Sequence, residues 1–148
     1  MVKTVDELFD AIGRLDFKEA DEAALQFLLG AILYRIHNEG KASDESLLGE
    51  YTEEYKKVRR KLGRQVNYKD LELTGHLRRS AVVVVEDKLR GLAFSNQFAA
   101  DKSRWQEEQT RKTIWHPTKG ELDEAAKIYI EVGSETINNA IKGFTGGS

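Results

Sequence analysis

The chain has 148 residues, 23 basic and 25 acidic side chains, and no cysteine, so it fits one ordinary domain. A disulfide scaffold, a thiol nucleophile and thiolate zinc sites are excluded at once. With a formal net charge of -2 the protein is no polycation. Its 40% hydrophobic residues are too many for a disordered tail, and its apolar runs are far shorter than the ~20 residues of a membrane span. The first residues lack the apolar stretch of a signal peptide, so a soluble protein made inside the cell is expected.

Residues 4–15 predict a short amphipathic helix, with Val5, Leu8, Phe9 and Ile12 on one face. Thr4 with Glu7 three residues later is a capping box that marks its start. Residues 18–38 predict a stronger helix whose stripe is Leu25, Leu28, Leu29, Ile32 and Ile36, closed by Gly40. Gly30 inside it costs about 1 kcal/mol against alanine, and a close helix crossing is one reason to keep it. A polar connection over 41–50 leads to a third helix at about 52–62, with Tyr51, Tyr55, Val58 and Leu62 on one face.

From Tyr68 the period changes to two. Residues 68–73 alternate polar and apolar, 81–85 form a β-branched run, and 92–94 suit a return strand after a connection at 86–91. A small antiparallel sheet of about three strands is therefore expected. Residues 97–108 suit a short helix carrying Phe98, Lys102 and Trp105, and 109–117 read as irregular, ending at the one proline. A long helix over 118–142 follows, with Leu122, Ala125, Ala126, Tyr129, Ile130, Ile137 and Ile141 as its apolar positions and a frayed tail from Phe144. Helices, then a sheet, then a long helix define an α+β fold.

Charge is unevenly spread. Residues 1–55 hold 13 acidic and 5 basic side chains, whereas Lys56, Lys57, Arg59, Arg60, Lys61 and Arg64 put six positive charges into nine residues. Such a strip suits a polyanion or an acidic protein surface, and it equally suits a solvated face that balances the acidic half. His37, His76 and His116 are too far apart for a zinc motif, and no metal or other cofactor is expected. No phosphate-binding glycine loop and no nucleophile elbow occurs. Glu107–Glu108 and Asp123–Glu124 point about 100° apart on a helix, so neither pair is built to share a proton. No catalytic residue is expected, and a non-enzyme is the reading. Trp105 and Trp115 are interface candidates by residue type and core candidates by the same token.

The central stretch is more specific. Tyr51, Tyr55, Lys56, Lys57, Arg59, Lys61, Gly63, Arg64 and Gln65 lead into Asp70-Leu71, Leu73-Thr74-Gly75, Leu77 and Ser80, followed by the strand pair, residues 99–110, His116-Pro117 and the last helix. Over about residues 50–141 this order resembles small tailed-bacteriophage morphogenesis proteins of the neck, tail-completion or head–tail joining group. Gln109 stands where that group usually has glycine, and the two N-terminal helices are an addition to its pattern. The resemblance implies a virion protein, made in the host cytoplasm, that assembles as a sixfold or twelvefold ring between portal and tail. It implies portal, connector or tail-tube proteins as partners, with no membrane. The six basic residues would face channel DNA or an acidic neighbour, with Arg78 and Arg79 as further candidates and the loops at 86–91 and 109–117 as subunit contacts. The rival readings are a nucleic-acid-binding accessory protein using helix 56–64, an unrecognised small enzyme, and a tightly pairing partner protein.

Overall fold

The computed structural model describes residues 4–72 and 74–146; Leu73, at the end of the expected third strand, and Gly147 and Ser148, at the end of the expected frayed tail, lie outside the described residues. Six helices and one hairpin follow in the order α1 (Val5–Gly13), α2 (Lys18–His37), α3 (Glu53–Lys61), α4 (His76–Ser80), β1 (Ala81–Val85), β2 (Arg90–Phe94), α5 (Gln97–Thr110) and α6 (Lys119–Thr145). The class is α+β with a small antiparallel sheet. None of the described helices is long and apolar enough to cross a membrane.

Local chemistry explains most boundaries. Thr4 and Glu7 form the reciprocal capping box of α1, and Thr118 and Glu121 form a second one at α6. Thr52 and Asn96 cap α3 and α5 through their side chains. Past the end of α2, Gly40 takes φ +65, and a Cβ there would lie 2.6 Å from the Tyr68 ring and 2.8 Å from the Lys69 carbonyl oxygen. Only glycine meets both demands.

Helix α2 is the central element, touching α6, β1 and β2. Its partner α6 runs antiparallel to it: Arg35 meets Glu121 near one end, and Gly133 faces Phe17 and Ala20 near the other. The close crossing is thus at Gly133. A Cβ on Gly30 would touch nothing within 4 Å, so helix packing does not account for that glycine.

Leu28, Ile32 and Ile36 of α2 form the core with Ala42, Leu48, Ile114 and Ala125. Each buried Leu or Ile contributes about 1.5–3 kcal/mol. Leu25 and Leu29 are only half-buried. On α6 the expected apolar positions divide: Ala125 is buried, while Leu122, Tyr129 and Ile130 are exposed. Phe144 is half-buried within the last turn of α6, so the helix runs beyond the expected end at 142.

Among the described residues two strands form, where about three are expected. Val83 pairs with Leu92 at the centre of the hairpin, and Arg90 and Gly91 pair with Val85 and Val84, so the return strand starts two residues before 92. Residues 68–72 stay irregular despite their alternation because side chains take up their backbone groups. The Asp70 and Leu71 N–H groups donate to the Tyr51 hydroxyl at 3.1 Å each, and the Glu72 N–H donates to Asp70 Oδ1 at 3.0 Å. The carbonyls of Tyr68, Asp70 and Glu72 accept from Gln65, His37 and Arg59. Leu71 sits at φ +54, outside any strand conformation.

The two connections expected to be open loops hold each other. Ser43 N–H donates to Thr113 O at 2.9 Å, and the Lys112 ammonium donates to the Leu47 carbonyl at 2.6 Å. Ala42 and Ile114 are fully buried between them. Residues 109 and 110, expected to be irregular, are the last turn of α5.

Candidate functional site

The basic helix α3 is the natural place to look for a functional surface, and its six cations fall into three environments. Arg59 is 1% exposed and points inward. Its Nε donates to Gln65 O (2.9 Å), Nη1 to Glu72 O (2.7 Å), and Nη2 to both Asp70 oxygens (3.0 and 2.9 Å). The guanidinium also lies over the Tyr51 ring, 4.4 Å from its centroid. Arg59 therefore cannot face DNA or a partner. The five-donor fork of arginine suits this role, because a buried cation is tolerable only when its donors are met. Lys56 is half-buried and paired with Glu53 at 2.9 Å. Lys57, Arg60, Lys61 and Arg64 are exposed, and their side chains make no hydrogen bond or ion pair among the described residues.

With Arg59 inward, the expected apolar face is turned round. Tyr51 and Tyr55 are half-buried and meet edge-on at 5.2 Å, while Val58 and Leu62 are exposed. Geometry explains the shift: Tyr55 and Arg59 are one turn apart and share a stripe, so Arg59 takes the inward position.

Around Arg59 the acceptors are organised by Asp70. Its Oδ1 accepts from the Tyr51 hydroxyl at 2.7 Å and its Oδ2 from the Gln65 amide at 2.6 Å. Burial, then the hydrogen bond to Asp70, pushes the Tyr51 hydroxyl well above the usual phenol range. His37 donates from Nδ1 to the Asp70 carbonyl at 2.8 Å, and its buried Nε2 has no partner. Burial holds the His37 imidazole below its ordinary value of 6.5, outweighing the hydrogen bond to Asp70 and the charge of Glu72. The cluster is a polar core that shapes residues 51–72.

A cleft of about 510 Å³ opens beside it between α3 and α5, lined by Tyr51, Tyr55, Lys69, Trp105, Gln106 and Gln109 among others. Trp105 is 57% and Phe98 67% exposed on the outer face of α5. Trp115 has a different setting. It is half-buried, edge-on to Phe94 at 5.1 Å and to His37 at 6.1 Å, and packed against the core, so it is no exposed anchor. Arg78 is partly exposed and pairs with Glu72 at 3.6 Å. Arg79 is exposed, with Nη1 against Gly75.

Three of the four carboxylates singled out by spacing have structural partners. Glu107 accepts from the N–H groups of Ile114 and Trp115, and Asp123 and Glu124 pair with Lys119 and Lys127. Among the described residues no group of three or more His, Asp or Glu is placed to hold a metal. A second buried arginine was not singled out by sequence. Arg35 donates to Glu121 Oε1 (2.7 Å) and to the carbonyls of Lys41, Ile114 and His116. It ties α2 to the segment before α6. Its only sequence signal is a charge one residue ahead of Ile36 in the apolar stripe.

No family model matches this chain, and no curated protein or solved structure does either.

Proposed function

We propose that this protein is a non-enzymatic assembly component of a tailed-phage virion, a neck, tail-completion or head–tail connector protein that forms a ring between portal and tail. One observation carries the assembly part: apolar side chains are left uncovered on five helices, α2 among them through Phe27 and Tyr34. Val5 and Phe9 on α1, Val58 on α3, Phe98 and Trp105 on α5, and Leu122 and Ile130 on α6 are exposed, while the fully buried side chains of any size are Arg59, Ile32, Ile36 and Ile114. Single exposed apolar residues are ordinary, but Val5 lies one turn from Phe9, and Phe98 and Trp105 line one shared apolar surface; such adjoining exposed apolar side chains mark a surface that another chain covers. The two-strand hairpin adds two strand edges to that inventory. The virion setting rests on the order of motifs from Tyr51 to the last helix.

The direct test is removal of the gene from the phage that encodes it. DNA-filled heads and separate tails should accumulate in electron micrographs, and added protein should join them. Normal tailed particles without the protein would end this reading.

Exposed Lys57, Arg60, Lys61 and Arg64 support a second reading, nucleic-acid binding through α3. Four cations limit it to about four phosphate contacts and a correspondingly shallow salt dependence.

A further inference from the structure

We infer that α1 of one copy docks on α3 of the next, so that the subunit associates head to tail through two helices of opposite charge; this deepens the assembly reading and rests on it. Both helices are nine residues long. Each presents an exposed apolar pair one turn apart, Val5 with Phe9 on α1, and Val58 of α3 with Leu62, the residue that caps its C-terminal end.

Each apolar pair is bordered on one side by the helix's attachment to its own fold. On α1 that attachment is through half-buried Leu8, Ala11 and Ile12; on α3 it is through Tyr55 and Arg59. On the other side lies a charged stripe: Asp6 and Asp10 on α1, Lys57 and Lys61 on α3. All four are exposed, and none has a side-chain hydrogen bond or ion pair among the described residues.

The spacing is complementary as well as the sign. The acids are four residues apart and so are the lysines, so one register forms both ion pairs together. At about 100° per residue, the order from attachment to apolar pair to charge runs in opposite senses round the two helices. Parallel docking therefore sets the acidic stripe on the basic one with both apolar pairs on the same side of it. Antiparallel docking separates them. Glu54, at the start of α3, lies before the first lysine and outside this register.

The two surfaces belong to different helices of one chain, so the contact is heterologous and leaves a free α1 at one end of a growing chain and a free α3 at the other. Two short helices cover well under the roughly 800 Å² per partner of a standard interface. One contact is weak, and ring closure or further contacts must supply the rest.

The test is a charge swap read by absolute mass over a concentration series at low salt. The variants are Asp6→Lys with Asp10→Lys, Lys57→Glu with Lys61→Glu, and all four together. Circular dichroism confirms that each folds. Each pair alone should raise the concentration needed for association at least about tenfold, through like-charge contact. The fourfold variant, and an equimolar mixture of the two pairs, should restore it.

Unaltered association by either pair, or failure of the swap to restore, would overturn the inference, as would a wild-type chain that stays monomeric at every concentration. Loss of DNA binding by the lysine pair with its mass unchanged would also overturn it, in favour of a nucleic-acid face. Association that follows the swap but gives open fibres instead of rings keeps this contact and removes the ring reading. Rings indifferent to all four substitutions do the reverse.

Discussion

Two buried arginines hold the irregular parts of this fold, and they do so against different backgrounds. Arg35 sits in the apolar stripe of α2 beside Ile32 and Ile36, with Glu121 as its carboxylate. Glu121 also closes the capping box of α6, where the helix dipole favours a negative charge without help from arginine. Arg59 has no apolar core behind it. Its carboxylate, Asp70, is buried and holds Tyr51, Gln65 and the Glu72 backbone in place as well. One arginine reinforces a region that hydrophobic packing already defines; the other is the centre of a region that has little else.

That contrast sets an order of effects. Arg59→Ala should be the most damaging single change, costing about 3–5 kcal/mol, because it leaves Asp70 buried and unpaired. Denaturant unfolding measures it, and Arg59→Lys should recover little, since one ammonium cannot reach acceptors on Gln65, Asp70 and Glu72. Arg35→Ala should cost less, about 2–3 kcal/mol, because Glu121 keeps its cap and its place at a helix N-terminus. An Arg35 variant less stable than the Arg59 variant would break the comparison.

A smaller effect sharpens it through pH. His37 lies against Asp70 with its proton affinity lowered by burial, so below pH 6.5 the unfolded chain binds a proton that the folded chain refuses. Stability contributed by neutral His37 is complete above that value and should decline on acidification toward the lower folded value, by at most about 1.4 kcal/mol per pH unit. His37→Gln should flatten the profile on the acid side of pH 6.5. A profile unchanged by that substitution would detach His37 from the cluster. Smallest of all, Trp105→Ala and Lys61→Glu should each shift stability by no more than about 0.5 kcal/mol in the isolated subunit, as exposed side chains do.

How much could be read from the sequence follows the same division. Local signals were sufficient for the five longer helices: Thr4 with Glu7, the Leu28–Ile32–Ile36 stripe and Gly40 all act over a few residues. The five-residue α4 at His76–Ser80 is too short to show a helical period and was not expected. The β-branched run at 81–85 announced its strand. The region around Arg59 was not legible in this way, because in sequence Arg59 is one of six equivalent cations. What separates it is Asp70, eleven residues later, across a segment whose alternation imitates a strand. Tyr51, Gln65 and His37 divert that segment's backbone groups, and no local pattern displays such long-range partners. Arg35 was missed for the same reason, its acceptor Glu121 lying 86 residues away.

The candidate site changed accordingly. Of the six cations at 56–64 only Lys57, Arg60, Lys61 and Arg64 are exposed and unpaired among the described residues, Arg78 and Arg79 are exposed as well, and Trp115 moves from the surface to the edge of the core. What remains outside is a set of apolar and charged helix faces, which is the basis for reading the chain as a subunit.

The most direct test of that account is the absolute mass of the purified protein by light scattering across a concentration series, with negative-stain images of the same samples. The account predicts a shift toward six or twelve times 16.8 kDa with closed rings in the images. A strict monomer at every concentration, with the exposed faces of α1, α3 and α5 unaltered by any self-contact, would contradict it.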